Sequence, residues 1–281
     1  MASNRVWSVK SVLDWTTKYL SEVSGSPRAD AEILLSHVMK RNRLWLYTNF
    51  DFVLPHDVLD KYREAVKLRH DGTPVQHITG EKYFMALKFK INDKVLVPRP
   101  ETEELVERLL MDARVSGWKR FLDVGTGSGV ISISIAKYIP DAEVWAIDVS
   151  EDALNLTREN AERHGVSKRI HVHKGHIDLK NIDVVVSNPP YLTEEEWEIL
   201  KELHGEPIKA LVGGEDGNDV YKEILQKYSP KRFYFEIAHP FRKSLQRLFD
   251  ENGLEYEIFK DLSKKDRIAI VWRQNGTDTF S

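Results

Sequence analysis

The chain of 281 residues has no cysteine, which excludes a disulfide framework, a Cys-ligated zinc or iron–sulfur centre and a thiol nucleophile. A metal would have to rest on carboxylates and the 10 His, whose spacing shows no ligand pattern, so no metal is expected. No run approaches the roughly 20 apolar residues of a membrane span, and the first ten residues lack the basic end and apolar core of a leader. A cytoplasmic protein with no membrane partner is expected. Neither sign of charge dominates, with 41 Lys+Arg against 44 Asp+Glu. Residues 1–92 hold 14 Lys/Arg and 10 Asp/Glu, whereas residues 93–281 hold 27 and 34. A chain that tracked nucleic-acid phosphates with its larger part would show the reverse, so stable nucleic-acid binding is not expected. Charged residues at 30% without cysteine also fit a thermophile composition.

Apolar residues recur at helical spacing over 6–22, 29–39 and 58–68, with Ser26-Pro27 and Pro55 at helix starts. Residues 1–72 therefore read as a small helical domain packed on Trp7, Trp15, Leu44, Trp45 and Leu46. The basic excess of residues 1–92 suggests that this domain docks to a partner. Residues 73–97 read as a β-hairpin linker, with extended runs at 83–91 and 95–97 about the turn residues Asn92-Asp93. Residues 98–281 form a further domain, which opens with a helix over 101–112 started by Arg99-Pro100. From Arg120 strands and helices alternate, the signature of a parallel sheet with crossover helices. The last two β-rich runs, 254–259 and 267–272, lie close enough in sequence to pair antiparallel.

Two stretches carry chemistry. In Phe121-Leu-Asp123-Val-Gly125-Thr126-Gly127-Ser-Gly129-Val130 a strand runs into a glycine-rich turn and then a helix, so backbone N–H groups can approach a ligand at the helix start. The dinucleotide fingerprint needs a third glycine where Val130 or Ser132 stands, and the Walker lysine is absent. Asp148 ends the next strand, where it can accept from both hydroxyls of a ribose. A ribosylated ligand without a diphosphate fits both features.

The second stretch, Asp183-Val-Val-Val-Ser-Asn188-Pro189-Pro190-Tyr191, is a buried strand ending in an amide and two prolines. The prolines stiffen the turn and leave the Asn188 side chain and the Pro189 carbonyl as outward acceptors, a pair suited to an NH2 group. An amide nitrogen is a poor nucleophile, so an enzyme methylating it must hold both N–H bonds and aim the lone pair at the methyl. Tyr191 would pack on the planar group and exclude water.

Asp-Val-Gly-Thr-Gly-Ser-Gly at 123–129, Asp148 and Asn-Pro-Pro-Tyr at 188–191 resemble a class I S-adenosylmethionine-dependent methyltransferase of the amino-group type. Gly80-Glu-Lys-Tyr-Phe84, Val97-Pro-Arg-Pro-Glu-Thr-Glu103 and Glu206-Pro-Ile-Lys-Ala-Leu211 with Gly213-Gly-Glu-Asp-Gly217 narrow the resemblance to the HemK/PrmC family. It runs through Asp266-Arg267, essentially the whole chain. The resemblance implies an α/β, Rossmann-like seven-stranded sheet with its last strand antiparallel, preceded by a helical domain that helps hold the substrate. It also implies methyl transfer from S-adenosylmethionine, giving S-adenosylhomocysteine, to the glutamine N5 of the Gly-Gly-Gln motif of a peptide chain release factor. Asp123, Gly125, Thr126, Gly127, Gly129, Asp148 and Asn188 are then expected at the cofactor. Asn188, Pro189 and Tyr191 are the expected catalytic groups, with Pro190 and Arg99 also at the substrate. Arg99 and Glu101 either order the substrate loop or cofactor pocket or form a structural ion pair. Where related enzymes carry an acidic residue near adenine, this chain has Lys174-Gly-His176-Ile177-Asp178, so the adenine contact stays open between His176, Ile177 and backbone. A working monomer is expected.

Three other readings compete. A DNA adenine N6-methyltransferase uses the same tetrapeptide but needs a basic cleft and a target-recognition segment. An NAD-dependent oxidoreductase needs the missing glycine. A non-catalytic nucleoside-binding adaptor does not need residues 188–191.

Overall fold

The computed structural model describes residues 6–238 and 242–273. The chain divides into two compact units, Met1–Glu81 and Lys82–Ser281. The described residues of the first form five helices, α1 (Val9–Tyr19), α2 (Pro27–Met39), α3 (Arg43–Thr48), α4 (His56–His70) and α5 (Val75–Thr79). Ser8 and Ser11 form a reciprocal capping box on α1, Pro27 opens α2 at its first turn, and the Asn42 side chain accepts from Trp45 N at 2.8 Å to start α3. Their apolar faces meet in a core that includes Val9, Leu13, Leu34, Leu35, Leu46 and Leu59.

Two expectations for this unit are corrected. Trp15 and Leu44 do not pack the core: they are 45% and 70% exposed, and Trp15 lies in a surface ladder between Trp7 and Tyr19. The charge reading also changes, because residues 1–81 hold 11 Lys/Arg against 10 Asp/Glu. The basic excess sits in the hairpin, so charge gives the helical unit no preference for an acidic partner. Within the unit, Glu32 is 1% exposed and accepts from Arg28 at 2.7 Å, Arg43 at 2.5 Å and the Tyr47 hydroxyl at 2.7 Å. Burial pushes its carboxyl up, but the three donors outweigh that and hold it below its ordinary range.

The hairpin is β1 (Glu81–Phe84) and β2 (Leu87–Lys90), turning at Met85 and Ala86 and not at Asn92-Asp93. Both turn residues have positive φ, 49° and 59°, as a two-residue hairpin turn of this hand requires. Tertiary bonds hold what the residue types disfavour: Met85 N donates to Glu103 at 3.0 Å and the Tyr138 hydroxyl donates to Met85 O at 2.5 Å. Val95 to Val97 form no strand; Val97 N donates instead to the Glu206 carboxylate at 2.7 Å.

The second unit continues with α6 (Pro100–Ser116), β3 (Arg120–Val124), α7 (Val130–Tyr138), β4 (Glu143–Asp148), α8 (Glu151–Arg163), β5 (Ile170–Lys174), β6 (Val184–Ser187) and α9 (Glu194–Ile199). Then come α10 (Asp219–Lys227), β7 (Arg232–Glu236), α11 (Arg242–Glu251), β8 (Leu254–Lys260) and β9 (Asp266–Arg273). The sheet order is β5-β4-β3-β6-β7-β9-β8. The pairs from β5 to β7 are parallel and β9 is antiparallel to both its neighbours, as the resemblance implies. Alternate residues serve opposite faces, Phe121, Val144 and Val184 on one and Leu122, Trp145 and Val185 on the other.

The chain leaves β3 toward β4 and β5, then returns to place β6 on the other side of β3. That reversal opens a crevice beyond the carboxyl ends of β3 and β6. Val124 pairs with both Ile147 and Ser187, and Ser187 pairs with Phe235. The next residues, Asp148, Gly125, Asn188 and Glu236, therefore stand in one row across four neighbouring strands.

Candidate active site

The glycine-rich turn is held from below. Asp123 is fully buried, and its Oδ2 accepts from the Thr126 hydroxyl at 2.7 Å, the Ser132 hydroxyl at 2.6 Å and Ser132 N at 3.2 Å. Burial pushes its carboxyl up to about 6 despite these donors. Its Oδ1 is buried without a hydrogen-bond partner among the described residues, a polar atom left for a ligand. Gly125 and Gly127 have φ of 75° and 56°, and a Cβ built at either meets nothing within 4 Å. Such open space beside exposed backbone is a cradle that a side chain would fill. Gly129 differs: its Cβ would lie 3.0 Å from Ile133 Cδ1 and from Thr157 Cγ2, so it serves helix packing.

Asp148 closes the cradle at the end of β4. Its Oδ2 accepts from Gly127 N at 3.0 Å and its Oδ1 from Ser150 N at 2.9 Å. A carboxylate offers about four acceptor sites, so capacity for two hydroxyls remains.

At the end of β6, the Ser187 hydroxyl donates to Val124 O at 2.7 Å and ties the two crevice strands together. Asn188 Nδ2 donates to Thr102 Oγ1 at 3.1 Å, and that hydroxyl donates to Glu236 Oε2 at 2.6 Å. Thr102 and Glu236 are both buried. Burial pushes the Glu236 carboxyl up to about 7, against the pull of Thr102 and Arg267. The sequence reading missed both residues. The signal for Glu236 was a carboxylate in the apolar run Phe233-Tyr-Phe-Glu-Ile-Ala, where a buried charge is costly unless it is paired, and Thr102 lies within the Val97–Glu103 run.

Residues 188–191 line a cavity of about 330 Å³ together with Leu96, Arg99, Leu200, Leu203, Leu211 and Glu236. Pro189 is buried, and burial holds the Tyr191 phenol above its ordinary range. Leu192 N donates to Leu211 O and Gly213 N to Leu192 O, both at 2.9 Å, so the 206–217 segment runs along this loop. A Cβ at Gly213 would fall 2.1 Å from Pro190 O, hence glycine there. Arg99 pairs with the buried Glu206 and not with Glu101. Because Glu206 also accepts from Val97 N, the pair fastens residues 97–99 to the opposite cavity wall.

Two of the histidines are engaged away from the cradle. His176 contacts the Tyr228 hydroxyl at 3.1 Å and Glu223 at 2.9 Å, so its ring is held by the α10 side, while Ile177 packs on a hydrophobic core and Asp178 is exposed. His171 lies 2.5 Å from Glu143 on the adjacent strand. No group of three metal-ligating side chains occurs among the described residues. No helix among them is long and apolar enough to cross a membrane.

A family model described as PrmC N-terminal domain matches residues 11–80, and one described as Methyltransferase small domain matches residues 101–215. A release factor glutamine methyltransferase of Chlorobaculum tepidum is 36% identical over 290 residues, covering 95% of this chain and 98% of that one. Proteins of the same name from Clostridium acetobutylicum and Bacillus subtilis are each 36% identical, covering 87% and 91% of this chain and 90% and 94% of their own lengths. Among solved structures, the hMettl16 catalytic domain with a 3'UTR hairpin superposes with a TM-score of 0.57 at 16% identity, over 82% of this chain and 87% of that chain. This likeness establishes the class I methyltransferase fold. With relatives so similar along nearly their whole length, the chain belongs to the release factor glutamine methyltransferase family.

Proposed function

We propose that this enzyme transfers a methyl group from S-adenosylmethionine to the N5 amide of the glutamine in the Gly-Gly-Gln motif of peptide chain release factors. The observation that carries the reading is the row of Asp148, Gly125 and Asn188 at adjacent strand ends, with the cavity behind residues 188–191. The cradle fits the cofactor. Gly125 and Gly127 give backbone access, Asp148 retains acceptor capacity for ribose hydroxyls, and the unpaired Asp123 Oδ1 offers one more acceptor. Thr126 acts through Asp123 and Gly129 through helix packing, so both shape the cradle from behind. When bound, S-adenosylmethionine supplies a sulfonium-activated methyl group.

The chain's own residues do the rest. Asn188 Oδ1 and the Pro189 carbonyl accept the two N–H bonds of the glutamine amide and aim its nitrogen at the methyl. Tyr191 covers the amide plane and excludes water. Methylation makes the nitrogen strongly acidic, so the extra proton stays on the N–H held by Asn188 Oδ1 or the Pro189 carbonyl until the site reopens and solvent takes it, and no base acts before transfer. Arg99 takes part by anchoring the cavity wall through Glu206.

Labelled S-adenosylmethionine tests the reading against three acceptors: a purified release factor, its Gly-Gly-Gln to Gly-Gly-Ala variant, and duplex DNA. Label in the intact factor alone is expected. Label in DNA would shift the acceptor to adenine, and label in the Ala variant would move the site of transfer. The helical unit is proposed to dock the factor through its exposed aromatics Trp15, Tyr19 and Tyr47, since charge does not single it out. Undiminished affinity after replacing all three with serine would refute that.

A further inference from the structure

Asn188 has two ends of nearly equal size, a carbonyl and an NH2, and only the carbonyl can accept a substrate N–H. Its bond to Thr102 settles which end faces the acceptor. Thr102 Oγ1 lies 2.6 Å from Glu236 Oε2 and 3.1 Å from Asn188 Nδ2. A hydroxyl has a single proton. When Glu236 is a carboxylate it can only accept, so that proton goes to Glu236 and the Thr102 oxygen is left to accept from the Asn188 NH2. Asn188 Oδ1 is thereby turned away from Thr102.

We propose, building on the methyl-transfer reading above, that Thr102 and Glu236 are positioning residues whose direction of hydrogen-bond donation fixes which end of the Asn188 amide meets the substrate. Protonated Glu236 donates to Thr102, whose proton then passes to Asn188 Oδ1 as a hydrogen bond. The amide turns over and its NH2 faces the glutamine NH2, donor against donor, and the site is shut. One proton gained by Glu236 is the whole balance of the switch.

The environment keeps both directions within reach, because the buried Glu236 carboxyl sits at about 7. Arg267 of β9 and Arg99 favour the carboxylate, whereas Glu101 and burial disfavour it. Tyr221 of α10 donates to the Glu236 backbone carbonyl at 2.7 Å and Tyr191 stands beyond β6; burial holds both phenols above their ordinary range, so neither titrates in this window. The sheet register brings Glu236 beside Asn188.

The test compares the wild type with Thr102→Val, Thr102→Ser and Glu236→Gln. Steady-state kinetics on the release factor from about pH 5.5 to about pH 9 supply kcat and KM, calorimetry the cofactor affinity, and NMR the Asn188 side-chain NH2 signal, identified by its loss in Asn188→Ala. Thr102→Val should lower kcat by roughly ten- to a hundredfold, with KM and cofactor affinity within about twofold, and Thr102→Ser should restore it. Wild-type kcat should fall on the acid side around the Glu236 midpoint of about 7. Gln accepts through its carbonyl but gains no proton, so Glu236→Gln should flatten that limb and the NMR titration with it. Normal kcat in Thr102→Val, or an acid limb that survives Glu236→Gln, overturns the proposal while leaving the function in place. If the wild type methylates no glutamine, the functional reading fails, and the NMR titration alone upholds or rejects the switch.

Discussion

Two glycines two residues apart should fail in opposite ways when replaced by alanine. Both Gly127 and Gly129 have positive φ, 56° and 81°, which costs an alanine about 1–2 kcal/mol. At Gly127 that is the whole structural cost, because the added Cβ meets nothing within 4 Å. At Gly129 the Cβ also presses on Ile133 and Thr157 at 3.0 Å, an overpacking of about 1–3 kcal/mol, for a sum of about 2–5 kcal/mol. Pushing Thr157 aside also weakens its 3.1 Å bond to Gly127 O. At about 2–4 °C per kcal/mol for a unit of this size, Gly129→Ala should lower Tm by roughly 4–20 °C and Gly127→Ala by roughly 2–8 °C. Cofactor affinity should reverse the order. The methyl at position 127 stands in the cradle and should raise the cofactor Kd at least about tenfold, or about 1.4 kcal/mol, whereas Gly129→Ala leaves the cradle surface clear. Thermal unfolding and calorimetric titration of the two variants decide the matter. If Gly129→Ala melts like the wild type, or Gly127→Ala binds cofactor normally, the division into a packing glycine and a cradle glycine is wrong.

Asn188→Ala removes one of two carbonyl acceptors and should cut kcat by roughly 10²–10³ while cofactor affinity is largely kept; unchanged turnover would remove Asn188 from the mechanism. Glu32→Ala strips the helical unit of its buried acceptor and should cost about 2–3 kcal/mol, below the ~3–5 of a fully buried pair because Arg28 and Arg43 keep 38% and 50% exposure. Thermal melts that match the wild type would show that Glu32 is dispensable. Stability should also depend on pH through Asp123 and Glu236, whose folded carboxyls sit at about 6 and about 7, above their ordinary values of 3.8 and 4.5. A raised carboxyl stabilises the fold fully below its unfolded value and loses that contribution as pH rises through the folded one. The Tm advantage of Glu236→Gln over the wild type should therefore grow between about pH 4.5 and about pH 7; a constant offset would contradict the linkage.

Much of this was legible in the sequence because the chemistry sits in contiguous runs. Asp123 to Gly129, Asp148 and residues 188–191 each lie at a strand end that periodicity alone locates, and helices such as Val130–Tyr138 and Asp219–Lys227 follow their apolar spacing. What escaped was set by register or by tertiary bonds. Thr102 and Glu236 are separated by 134 positions, and only the pairing of β6 with β7 places Glu236 beside Asn188. The hairpin turn at Met85-Ala86 has none of the residues that favour positive φ, while Asn92-Asp93 has the composition but makes a local turn of its own, with Asn92 Oδ1 accepting from Lys94 N at 3.0 Å. The helix Val75–Thr79 is too short for a period to show. The Arg99 partner was out of reach for the same reason as Glu236, since Glu206 lies 107 residues downstream.

The four residues that stand in a row across β4, β3, β6 and β7 make the sheet a ruler. Neighbouring strands lie about 4.8 Å apart, so Asp148 and Asn188 are separated by two rungs, roughly 10 Å of backbone ladder. The interval between the proposed ribose acceptor and the proposed amide acceptor is thus counted in hydrogen-bonded strands and does not depend on the lengths of loops. Such a ruler has no intermediate settings. Slipping β6 by one residue would move Asn188 by one rise along the strand and turn it to the opposite face of the sheet. Loops around the crevice can drift or lengthen without changing the span, whereas a change that reaches the ladder removes it at once.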